Sequence, residues 1–146
     1  MVFSYEDYLD EYGTLTYSNV GTSMMPLLRQ GKDLFIASPK GSERLKVGDV
    51  VLYRRPPDKY VLHRIVEVRP DDYVILGDNC LYKEYGIRDE DIIAVMTGFV
   101  RNGREYGISD FRYRAYSFCI LHTVGLRVLL KRVWFKFKRI VRRIIK

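Results

Sequence analysis

Near the N-terminus, the apolar positions Tyr5, Tyr8, Leu9 and Tyr12 recur at i, i+3, i+4 and i+7, the spacing of one helical face. Ser4 is a suitable N-cap, acids fill the first turn, and Gly13 ends the run. A short helix is therefore predicted over residues 4–13, its tyrosine face packed on the body. The period then drops to two. Segments 14–20, 33–37, 49–54, 60–68, 73–76 and 91–100 read as six strands. Gly41-Ser42, Gly48-Asp49, Pro56-Pro57-Asp58 and Asn102-Gly103 separate them with turn chemistry. Short strands so spaced imply a mainly β fold, an antiparallel sheet or small barrel. From residue 112 the pattern changes again. Leu126, Leu129, Leu130, Val133, Phe137, Ile140, Val141 and Ile144 make a helical stripe. Arg127, Lys131, Lys138, Arg142 and Lys146 fall largely on the other faces, which predicts a C-terminal basic amphipathic helix.

Charge follows the same division. Residues 1–110 carry 14 Lys and Arg against all 18 Asp and Glu, whereas residues 111–146 carry 11 Lys and Arg and no acid. A mildly acidic body (1–110) thus continues into a strongly basic tail (111–146), and such a tail implies an anionic partner. The two cysteines, Cys80 and Cys119, form neither a disulfide framework nor a metal-ligand spacing, so reduced thiols and no metal are expected. The segment from Met1 to Glu11 lacks the basic and apolar regions of a secretory signal. No window reaches the roughly 18 apolar residues of a spanning helix, so a cytoplasmic chain is expected.

One stretch fits neither helix nor strand: Gly21-Thr22-Ser23-Met24-Met25-Pro26 makes a sharp turn that holds a serine at a surface. A serine hydroxyl is a weak nucleophile until a base takes its proton, and an acid often orients that base. The chain has two histidines. His63 stands in the strand Val61-Leu62-His63-Arg64-Ile65-Val66, where alternation puts Val61, His63 and Ile65 on one face; His122 is a tail residue without a chemical role. Leu76-Gly77-Asp78-Asn79 follows, either as a tight turn or as part of the site.

The serine turn, the Gly48-Asp49-Val50-Val51-Leu52-Tyr53 strand, the His63 strand and Gly77-Asp78-Asn79, in that order, resemble the type I signal peptidase family. The resemblance spans about residues 18–100 and is to the archaeal and endoplasmic-reticulum branch, in which a histidine replaces the bacterial lysine. It implies the antiparallel β fold shared by signal peptidases and LexA-type repressors. It further implies a serine endopeptidase that uses no cofactor and cuts a leader, signal-type or precursor peptide. By the resemblance Ser23 is the nucleophile and His63 the general base; Lys59 is off the matching position. Asp78 or Glu84 is the third member, with Asp89 and Asp91 as further options. The Ser23 N–H is the first oxyanion donor. The family often places a serine two positions earlier, where this chain has Gly21, so Thr22 is the remaining candidate for a second donor. The strand leading to Ser23 and residues 50–53 are expected to grip an extended peptide, with Tyr17, Met24 and Pro26 as substrate-binding residues.

Two departures accompany the resemblance. The family's N-terminal membrane anchor is expected to be lacking, and its Gly-Asp appears as Gly31-Lys32-Asp33. The basic tail is expected to take the anchor's place by lying on an anionic membrane surface through residues 112–146, on the inner face. Packing of the tail on the sheet, or on a second copy in a homo-oligomer, is the competing arrangement. Nucleic acid is not expected, because no recognisable module accompanies the charge. The alternative function is a non-catalytic peptide-binding or membrane-adaptor module on the same fold, motivated by Gly21.

Overall fold

A computed structural model describes residues 4–146. Met1–Phe3, part of the segment lacking signal character, lie outside the described residues. The fold is mainly antiparallel β, with a short N-terminal helix and two C-terminal helices. Helix α1 (Tyr5–Tyr12) has both predicted caps. Ser4 accepts from the Asp7 N–H, Asp7 returns the bond to the Ser4 N–H, and Gly13 closes the helix in the left-handed region.

Eight strands follow: β1 (Leu15–Ser18), β2 (Leu34–Pro39), β3 (Val50–Arg55), β4 (Lys59–Val68), β5 (Tyr73–Leu76), β6 (Glu84–Ile87), β7 (Ile92–Arg101) and β8 (Arg104–Gly107). The order across the sheet is β1-β2-β7-β3-β4-β5-β6, with β8 paired to β7. Six of these are the predicted strands. Strands β6 and β8 were not foreseen, since Glu84-Tyr85-Gly86-Ile87 and Arg104-Glu105-Tyr106-Gly107 each contain a glycine and little apolar alternation. Pairing with β5 and β7 overrides their weak propensity.

Both faces of the sheet are covered. On β3, Val50 and Leu52 join a core with Leu9, Met24, Leu28, Phe35 and Met96, while Val51 and Tyr53 join a second cluster with Ile65, Tyr73 and Ile75. The alternation of one strand thus feeds two cores.

The basic tail divides in two. Helix α2 (Phe111–His122), capped by Asp110, buries Tyr113 and Ile120, so its inner side belongs to the body. Helix α3 (Val124–Ile144) follows after Thr123 and buries no residue fully. Its predicted stripe faces away from the sheet: Leu129 is 58% and Phe137 56% exposed. No helix among the described residues is long and apolar enough to cross a membrane.

Candidate active site

Strand β1 runs into the serine turn. Gly21 there has φ +90°, a conformation side chains rarely adopt, so backbone geometry accounts for glycine where the resembling family often has serine. The turn is braced from behind. Asp33 is fully buried and accepts bonds from Arg29 and Arg101, which hold its carboxyl well below the usual carboxylate range despite burial. Arg101 also donates to the Leu27 carbonyl at 2.7 Å and the Pro26 carbonyl at 3.2 Å. Asp33 therefore supports the turn that carries Ser23.

The loop after β5 closes on this turn. The Asn79 N–H donates to the Ser23 carbonyl at 2.8 Å, and the Asn79 side chain donates to the Thr22 carbonyl at 3.1 Å. Gly77 is the tightest point. A methyl group added there would meet Cys80 Sγ at 2.6 Å, the Ser23 carbonyl oxygen at 2.8 Å and His63 Nε2 at 2.9 Å. One carbon-sized space thus separates the Ser23 backbone from the histidine ring, and only glycine leaves it open.

His63 is 7% exposed. Burial, with the Arg55 cation adding to it, pushes its pKa from 6.5 down to about 4. Its Nδ1 lies 3.3 Å from the Tyr53 hydroxyl. In the tautomer that donates Nδ1–H to Tyr53, Nε2 is free to take a proton. Tyr53 also receives Arg55 at 3.4 Å, and burial raises its own pKa to about 12. The Ser23 hydroxyl and its N–H make no hydrogen bond among the described residues. Cys80 Sγ instead lies 3.9 Å from Nε2.

The expected acids have other partners. Asp78 accepts from Arg64 Nε at 2.8 Å and Nη2 at 2.9 Å, and from the Tyr116 hydroxyl at 2.9 Å. It ties the sheet to α2 rather than binding the His63 ring. Glu84 pairs with Arg55, so it reaches His63 only through the chain Glu84–Arg55–Tyr53. Asp89 holds Lys40, Arg44 and Tyr73, and Asp91 accepts from the Arg88 N–H. The group that holds the ring at Nδ1 is the Tyr53 hydroxyl. The sequence held that signal only as cross-strand register, since Val51 pairs with His63 and Tyr53 with Val61.

Ser23, Thr22, His63 and Tyr17 all line one groove of about 830 Å³. Two of the expected substrate contacts do not. Met24 is fully buried in the core, because the turn directs its side chain inward, and Pro26 lies on a neighbouring surface beside Phe99. Strand edges border the groove. β1 is the last strand of the sheet, and residues 59–63 of β4 pair with β3 alone among the described residues. Asn19, just past β1, is buried in the groove wall, and its Nδ2 has no partner among the described residues.

The third wall was not foreseen. Lys131, Trp134, Phe135 and Lys138 of α3 line the groove. Arg127 donates to the Asp78 carbonyl at 2.7 Å, and Lys131 to the Asn79 carbonyl at 2.8 Å. Helical spacing marks these residues only as polar positions; their partners lie about fifty residues upstream. Among the described residues no cluster of side chains could hold a metal ion. Compared with protein-family models, curated proteins and solved structures, the chain matches none.

Proposed function

We propose that the chain is a serine endopeptidase of signal-peptidase type that cuts an extended leader or precursor peptide at a membrane surface. The observation that carries this reading is the approach of the Ser23 backbone and the ring of a neutral, buried His63 at the Gly77 gap, in a groove that Ser23 also lines and that unpaired strand edges border among the described residues. An extended peptide adds to such an edge through its backbone. Ser23 Oγ attacks the scissile carbonyl while His63 Nε2 takes its proton. The Ser23 N–H meets the developing oxyanion. The imidazolium then protonates the departing amine, and water, deprotonated by the same ring, hydrolyses the acyl-enzyme. A serine–histidine contact that is open in the free protein closes when substrate fills the groove.

The membrane part rests on α3. Its exposed stripe from Leu126 to Ile144 is flanked by Lys and Arg, the composition of a helix lying in the interface of an anionic bilayer. Each cation near such a surface contributes about 1 kcal/mol.

A fluorophosphonate tests the chemistry: the Ser23 oxygen attacks phosphorus and fluoride leaves. Wild type is expected to label and Ser23→Ala not to; labelling that is absent, or that survives the change, ends the peptidase reading. One observation favours a non-catalytic peptide-binding module instead. Cys80, not Ser23, lies against Nε2. That module would bind peptide and leave the probe untouched.

A further inference from the structure

We infer that the groove selects extended peptides that carry acidic side chains between apolar ones, and that α3 makes the selection; the inference deepens the peptidase reading and rests on it. Five charged side chains line the groove: Arg55, Lys59, Glu84, Lys131 and Lys138. Glu84 is the one carboxylate, and Arg55 neutralises it. Lys59, Lys131 and Lys138 form no ion pair among the described residues. Three uncompensated cations therefore face the space where substrate lies, on a body whose other surfaces carry an excess of acid. Charges of one sign lining a cleft favour a complementary ligand, both in capture and in register.

The positions of the cations give the pattern. Lys59 begins β4 on one wall, and Lys131 and Lys138 stand two helical turns apart on the other. Between the latter two, Trp134 and Phe135 give that wall an apolar stretch, and Lys138 stacks on the Trp134 ring at 5.0 Å. Acidic residues opposite the lysines and apolar residues opposite the rings fit this order. The peptide backbone is met separately, by the free edges of β1 and β4 and by the unpartnered Asn19 amide. These edges offer the donors and acceptors of a strand, which a peptide satisfies and a phosphate backbone does not.

Trp134 is the single tryptophan of the chain, so its emission reports occupancy of the groove without any catalysis. The Ser23→Ala chain, residues 1–146, is titrated, without lipid, with three extended peptides of the same apolar frame. One carries Glu at the intervening positions, one Gln and one Lys. The Glu peptide is expected to bind roughly tenfold more tightly than the Gln peptide at low salt, the sum of two or three partly screened pairs, and the margin shrinks as salt rises. Lys59→Gln with Lys138→Gln, both outside the loop that carries Asn79, should remove most of the preference. Lys32→Gln with Arg104→Gln, an equal loss of charge elsewhere, should leave it. Equal affinity for the three peptides overturns the inference. So does a preference that survives the groove changes, or an oligonucleotide that competes as well as the Glu peptide. Acid-selective binding without cleavage by the wild type sinks the peptidase reading alone, and cleavage indifferent to Glu, Gln and Lys sinks this inference alone.

Discussion

His63 shows how far one side chain is governed by its surroundings. An exposed imidazole is half protonated near pH 6.5, but burial beside Arg55 lowers this to about 4. Activity that needs the neutral ring should therefore persist in acid, with the lower limb of kcat/KM centred near pH 4. A limb near 6.5 would mean that the ring is not buried as described. The same shift has a stability cost of defined sign. Between pH 6.5 and 4 the unfolded chain binds a proton that the native ring refuses, so stability falls as pH falls through that window. The full effect is about 3 kcal/mol. Denaturant unfolding at pH 4.5 and 7 should show a smaller difference in His63→Gln than in wild type.

At the scale of elements, the Arg64–Asp78 pair joins β4, the loop after β5 and α2. Both side chains are essentially unexposed, and Arg64 also donates to the Gly48 carbonyl and Ser117. Removing one partner leaves the other charge buried alone, which costs about 3–5 kcal/mol. Asp78→Ala should therefore unfold at markedly lower denaturant, whereas Glu84→Ala, at a half-exposed pair, should lose about 1 kcal/mol or less. Equal effects of the two changes would contradict the burial of Asp78. These acids also mark what the sequence makes legible. The period-two and helical patterns locate α1, six strands and the stripe of α3, because burial on one face is written as periodicity. Ser23, His63 and the loop of Gly77 do come together. Periodicity carries nothing about which cation an acid meets, so the roles of Asp78 and Glu84 emerge only from the folded arrangement and that of Tyr53 from the β3–β4 register. Met24 reads as a surface residue of a turn, yet the direction the turn imparts sends it into the core.

For the whole molecule, the placement of α3 sets what the protein can meet. Its stripe leaves an apolar row uncovered among cations, and a surface patch of that kind marks an interaction site. Leu130→Glu with Phe137→Glu should abolish co-sedimentation with vesicles containing anionic lipid, while wild type sediments with these and less with zwitterionic vesicles. Equal sedimentation of variant and wild type would show that the stripe does not bind lipid. The inner side of the same helix grips the Asp78–Asn79 backbone, so binding at one side leaves the other in place on the groove.

With its stripe on lipid, as proposed, helix α3 would separate two media by its own thickness. Its apolar stripe and its groove side lie roughly 140° apart around the axis, and a helix with side chains is about 10–12 Å across. A substrate anchored in the same bilayer must climb that height before its backbone reaches β1. An extended chain rises about 3.3 Å per residue, so the first bond that can be cut lies some three to four residues above the surface. In a series of anchored peptides with lengthening spacers, cleavage should begin at that length and be absent below it; cleavage with no spacer would contradict the placement. On the peptidase and membrane readings proposed above, the helix would act as a gauge of height, choosing bonds by their distance from the bilayer as well as by their side chains.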